Sequence, residues 1–312
     1  MPAVILHQYA RSPFSEKVRL ALGLKALDYH AVTIPALPPR PDLMPLTGGY
    51  RRTPVLQVGA DIYCDTLAIL RQLERMHPAP SLYPDGSEAV ATALGLWIER
   101  ASFVPAVGLV RALSNAPPDP AMLKDRHAFF GFDIGKPAML AQQPLFLQRL
   151  AAHIDWLSHM MRNGRHFLLG AGPSAADLAA FHPLWFVRQN GGPCAGALLP
   201  GLAPLRGWYD RVEAIGHGNP QALQASDALG VAAGAESAAL DEAPLELPGF
   251  HLGDEVCVTP DDTGRDPVRG TLLAASRDTI ILGRTDPLAG RINLHFPRNG
   301  FDVVPLKKGR AP

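Results

Sequence analysis

The spacing of apolar residues changes several times along the first third of the chain, and each change marks an element. Residues 4–6 are a short β-compatible apolar run, and from Pro13 the apolar positions Val18, Leu20, Ala21, Leu22 and Leu24 recur at helical spacing. Ser12 ahead of Pro13 is the expected start of that helix, a hydroxyl cap followed by proline at the first helical position. Residues 31–34 read as a second strand. After the proline-rich residues 35–45, residues 55–58 and 62–64 read as a hairpin turning at Gly59, Ala60 and Asp61. Asp65 and Thr66 then cap a helix whose apolar face runs Leu67, Ile69, Leu70, Leu73. The order β, α, β, then β, β, α predicts a small mixed sheet covered by helices.

Pro78, Pro80, Pro84 and Gly86 give a linker composition, so a first domain is drawn at residues 1–82. Strand patterns then stop. Residues 89–113, 144–161, 175–188 and 203–215 each show helical periodicity, which predicts an all-helical bundle domain over residues 88–230. Between the first two of these, residues 115–143 read as an extended inter-helix segment whose Phe129, Phe130 and Phe132 are assigned to the core. Residues 230–248 read as a connector. Residues 255–259, 269–274, 279–282 and 291–296 alternate apolar and polar positions between Asp, Gly and Pro turns. They predict a small β-barrel-like accessory domain of four or five strands over residues 246–306, leaning on the helical domain. The fold class is therefore α+β multidomain: an α/β domain, an all-α bundle and a small all-β unit.

Composition narrows the function classes. A chain of 312 residues with 47% hydrophobic and 19% charged side chains is of ordinary globular composition, with room for two or three domains. Its 29 basic and 29 acidic residues cancel, which gives no overall attraction to nucleic acid or to an anionic membrane. Cys64, Cys194 and Cys257 are odd in number and far apart, without disulfide or metal-ligand spacing, so a reducing, cytoplasmic location and no metal are expected. No secretory signal and no continuous membrane-spanning stretch are read from the sequence.

The residues with chemical potential cluster near the N-terminus. Ser12 is read either as a plain helix cap or as a hydroxyl that also donates to a thiolate held at the helix N-terminus. Tyr9 is its rival. Thr53 before Pro54 would, if the bond is cis, turn its backbone N–H and C=O toward an extended peptide ligand. Asp65 and Thr66 at the next helix start offer N–H groups to a carboxylate and an acid to an ammonium, and Arg51 and Arg52 could meet a second carboxylate. Together these describe a site for a short zwitterionic peptide bearing a thiol. Cys64 abuts it and is read as a small buried hydrophobe.

Three blocks, Arg11-Ser12-Pro13-Phe14-Ser15-Glu16-Lys17-Val18-Arg19, Arg51-Arg52-Thr53-Pro54-Val55-Leu56 and Cys64-Asp65-Thr66-Leu67-Ala68-Ile69, resemble in order and spacing the glutathione site of Ser-type cytosolic glutathione transferases. Pro173-Ser174-Ala175-Ala176-Asp177-Leu178-Ala179 is similar to the capping-box motif of that family's helical domain. The resemblance covers residues 1 to about 230 and implies a thioredoxin-like first domain. It implies that Ser12 activates the glutathione thiol, that Thr53 and the cis-proline Pro54 pair with the cysteinyl backbone, and that Asp65 with Thr66 holds the γ-glutamyl end. Arg52 is the implied partner of the glycyl carboxylate. The implied protein takes glutathione as co-substrate, attacks a small hydrophobic electrophile and forms a homodimer. The alternative is a catalytically weak glutathione-binding or scaffolding protein whose β unit engages a partner.

Overall fold

The computed structural model describes residues 3–115, 119–162, 164–192, 195, 200–240 and 245–306; Cys194 lies outside them. They divide into two compact units, one drawn from Met1–Tyr9, Asp28–Gln72 and Pro220–Pro312, the other from Ala10–Leu27 and Leu73–Asn219. The fold class read from the sequence is the one observed, with thioredoxin-like N-terminal strands, a helical bundle and further C-terminal strands.

The first unit is built on a ten-stranded sheet. β1 (Val4–Gln8) pairs in parallel with β2 (Asp28–Thr33) and antiparallel with β3 (Val55–Val58), which forms a hairpin with β4 (Asp61–Cys64). Gly59 turns that hairpin with φ +62°, a backbone state that glycine adopts without strain. β5 (Asn219–Ala222), absent from the sequence reading, adds to the outer side of β2. The sequence suggests that the C-terminal strands lean on the helical domain. The structure instead sets β9 (Gly290–Pro297) parallel to β4, with Ile62 opposite Leu294 and Tyr63 opposite His295. β8 (Thr279–Asp286), β7 (Val268–Ala275), β6 (Glu255–Pro260) and β10 (Phe301–Pro305) follow in antiparallel succession.

One hydrophobic core serves these strands apart from the exposed β5. Ile5, Val32, Val55 and Ile62 from the N-terminal strands share it with Val256, Leu272, Leu282, Ile292 and Phe296 from the C-terminal ones. Helix Ala225–Ala233, in a stretch whose second half the sequence assigns to a connector, buries Ala228, Leu229 and Ala232 against the same core. Two buried polar links lie within it. Asp61 accepts from His295 Nε2 at 2.7 Å and from the Ala238 N–H at 2.7 Å; Gln57 accepts from His7 Nε2 at 2.9 Å and donates to Gly59 and Ala228.

In the second unit, α1 (Pro13–Leu24) packs with the bundle helix Ala175–Asn190. The long helix Glu88–Leu113 buries Ala91, Gly95, Ile98, Ser102, Ala106 and Leu109 at intervals of three or four, the stripe that a packed helix requires. It lies against helices Lys136–Met160 and Ala175–Asn190. Gly108 permits the first of these crossings, since a Cβ there would lie 2.3 Å from the Phe146 ring. By length and apolarity alone this helix could cross a bilayer, which the sequence reading did not anticipate. Here it is a bundle helix whose Glu99 carboxylate pairs with Lys17 at 2.7 Å and accepts from His182 at 2.9 Å. Helix Pro120–Phe130, within the segment read as extended, buries none of its residues fully.

Candidate functional site

In the first unit the segment that carries Arg51, Arg52, Thr53 and Pro54 leads into β3, and the Thr53–Pro54 bond is cis. Arg40, which the sequence reading did not single out, anchors this segment. Its guanidinium donates to the Arg51 carbonyl at 2.7 Å, to Thr53 Oγ1 at 3.1 Å, and to the Pro35 and Ala36 carbonyls at 2.8 and 3.0 Å. At 6% exposure Arg40 is a buried strut, and four bonds to one fork fix the segment's path. Nothing in local spacing marks Arg40, because three of its four partners are backbone carbonyls and the fourth, Thr53 Oγ1, lies 13 residues away.

Asp65 stands between β4 and the helix Thr66–Met76 with φ +80°, an uncommon left-handed conformation for a side chain larger than glycine. Its Oδ1 accepts from the Leu67 N–H at 3.0 Å, so the acid caps the helix while Oδ2 lies 3.8 Å from Arg52 Nη1. Thr66 is buried beside it. Burial, assisted by the Asp65 charge, pushes the Cys64 thiol well above its ordinary pKa, which keeps it protonated and unreactive. Arg52 has partners in the turn between β6 and β7: its Nε donates to the Thr263 carbonyl at 3.0 Å and its Nη2 to the Asp262 carboxylate. Arg51 lies 3.6 Å from Asp266. Tyr9 packs, half-buried, against the core of this unit.

Ser12 belongs to the second unit. It has an extended backbone (φ −76°, ψ 122°) at the N-cap of α1, and its Oγ accepts from the Ser15 N–H at 3.1 Å. Accepting that bond uses a lone pair and leaves the hydroxyl proton to be donated. From the first turn of the same helix, Phe14 makes an edge contact with Phe103 at 4.9 Å and lies 4.8 Å from the His182 ring. Phe103 continues to Phe130, and Phe130 to Phe129 and Phe132, with centroids 5.9, 5.0 and 5.4 Å apart. All three phenylalanines are half-buried; Phe132 packs against the small core of Ala112, Met139 and Phe146, whereas the assignment of Phe129 and Phe130 to the core is corrected. They form an aromatic row because the end of helix Pro120–Phe130 presents Phe129 and Phe130 and the residues just after it present Phe132, a tertiary placement that composition does not encode.

Burial raises the carboxyl of Glu99, but the Lys17 charge and the His182 hydrogen bond outweigh it and hold the group at about 2. His182, fully buried, is pushed below its ordinary value by desolvation. In the capping box, Asp177 accepts from the Ser174 N–H and hydroxyl at 2.9 and 2.7 Å, from the Leu168 N–H at 2.8 Å and from Trp208 Nε1 at 2.9 Å.

Comparison with known proteins agrees with this geometry. The model of the glutathione S-transferase N-terminal domain matches residues 6–81, and that of the C-terminal domain matches residues 97–211. A GST-like protein from Pseudomonas syringae, of known crystal structure, is 37% identical with a TM-score of 0.77, over 98% of this chain and 100% of that one. That likeness therefore runs on through the C-terminal strands. A glutathione S-transferase from Rhodospirillum rubrum F11 shares the fold over 67% of this chain and 87% of its own, at 24% identity and a TM-score of 0.51. A zeta-class glutathione S-transferase from Euphorbia esula is 37% identical over 87 residues, 27% of this chain and 38% of that protein's length. With matching models over both halves and a relative aligned nearly end to end, the chain belongs to the glutathione transferase superfamily.

Proposed function

We propose that this protein is a glutathione transferase-like enzyme that activates the glutathione thiol for attack on a small hydrophobic electrophile. Thr53, Pro54, Asp65 and Thr66 bind the peptide, and Ser12 donates a hydrogen bond to its sulfur. The observation that carries this reading is the Ser12 hydroxyl, which caps α1 through Ser15 and keeps its proton for a thiolate at a helix N-terminus. The thiol proton passes to solvent. The sulfur lone pair then forms the new C–S bond, and the electrophile's leaving group departs with its bonding electrons or its carbanion takes a proton. The half-buried row from Phe14 to Phe132 supports an apolar electrophile.

Calorimetric titration with glutathione, paired with thiolate absorbance across pH, tests the reading on wild type and Ser12→Ala. The expected result is binding with a depressed thiol pKa that returns toward about 8.5 in the variant, each unit corresponding to about 1.4 kcal/mol. Absence of binding at millimolar glutathione would sink the proposal. Binding without turnover across a panel of electrophiles would favour the catalytically weak scaffold instead. The same reading takes the protein to be a cytoplasmic homodimer, which light scattering checks for oligomeric state.

A further inference from the structure

The arginines ahead of Thr53 are met by a single acidic turn of the same compact unit. Between β6 and β7 the chain carries Asp262, Thr263 and Asp266. Asp262 and the Thr263 carbonyl receive the Arg52 guanidinium, Asp266 lies 3.6 Å from Arg51, and Phe301 of β10 lies beneath Arg52 at 5.8 Å. A carboxylate oxygen and a carbonyl oxygen together offer the guanidinium fork what a ligand's carboxylate would offer it. Tyr50 lies close enough for Asp65, Arg52 and Asp262 to bear on its ionisation, and its buried hydroxyl has no hydrogen-bond partner among the described residues. Asp262 is 41% exposed, so the contact is held by charge at high local concentration rather than by burial.

We propose that Asp262, with Thr263, is a specificity-determining element that occupies Arg52 in place of a ligand carboxylate, so that peptide thiols with a neutral C-terminal end bind about as well as the free acid. This rests on the glutathione reading and deepens it. A free acid gains an Arg52 contact only by displacing Asp262, and the exchange of one carboxylate for another leaves little net gain. A C-terminal ester forgoes the exchange and loses nothing.

The test has two arms on the full-length protein, wild type and Asp262→Ala. In the first, phenylglyoxal labels arginines and mass spectrometry reads Arg52 against the 89% exposed Arg277 as internal reference. Arg52 is expected to label about fivefold faster in the variant, and succinate to protect it only there. In the second, calorimetry compares glutathione with its glycyl ethyl ester. Wild type is expected to bind the two within about threefold, and Asp262→Ala to prefer the acid by about tenfold. Equal Arg52 labelling in both proteins, or a tenfold preference for the acid in wild type, would overturn the proposal. If neither ligand binds either protein, the glutathione reading fails, while the labelling and its protection by succinate still decide whether Asp262 competes for Arg52.

Discussion

The Ser12 oxygen closes the first turn of α1 while its proton remains available, so one hydroxyl serves both roles. Ser12→Thr keeps both. Ser12→Ala loses the cap and is expected to lower stability by about 1 kcal/mol in urea unfolding, independently of any effect on thiol pKa. Ionisable residues make their own predictions. Glu99 titrates at about 2 in the folded protein, below its ordinary 4.5, so the folded state binds its proton less readily than the unfolded state does. Its contribution is complete above about pH 4.5 and fades as pH falls toward 2. His7 and His153 are held by burial at about 4, below 6.5, so protonation in the unfolded state erodes stability as pH falls from 6.5 toward 4. Urea midpoints across pH should therefore decline in two stages. Glu16 and Glu74 are held below their ordinary value too, so Glu99→Gln should shrink the lower stage rather than remove it, while costing about 3 kcal/mol because the buried Lys17 loses its Glu99 counter-charge.

At the scale of elements, helix Ala175–Asn190 depends on a single carboxylate that gathers four donors from three segments. Asp177→Ala should cost about 3 kcal/mol, since it strands buried N–H groups as well as removing the cap, whereas Ser174→Ala should cost about 1 kcal/mol. Thermal unfolding followed by tryptophan fluorescence reads the difference, because Trp208 is one of the donors. The crossing of helices Glu88–Leu113 and Lys136–Met160 is similarly intolerant at one point. Gly108→Ala would place a methyl group 2.3 Å from the Phe146 ring and should destabilise by about 2 kcal/mol, with partial rescue by Phe146→Leu.

For the molecule as a whole, the parallel pairing of β4 with β9 joins strands far apart in sequence into one sheet over one core. Hydrogen exchange should then show the Leu294 and His295 amides protected to the same degree as those of β3 and β4, because neither set opens without the other. Earlier exchange of the C-terminal strands as a block would contradict this. Asp61→Ala removes the acceptor of both His295 and the Ala238 N–H and should weaken that protection together with global stability.

Local patterns in the sequence determined whatever depends on neighbours along the chain. Ser12 before Pro13, the Ser174–Asp177 box, the helical stripe through Ala91, Ile98, Ser102 and Leu109, and the hairpin turn at Gly59 are each set by residues within a few positions of one another. The Thr53–Pro54 and Asp65–Thr66 segments were legible for the same reason. Tertiary structure decided what depends on pairing at long range. The choice of β4 as the neighbour of β9, the burial of Ala228 and Ala232 in a stretch taken in part for a connector, and the half-exposed aromatic row arise from competition among alternative packings of the whole chain. Arg52 shows the division most sharply. Its place before Thr53 is written in sequence, but its partner Asp262 lies 210 residues away, and no periodicity links two side chains that meet only after ten strands have found one sheet.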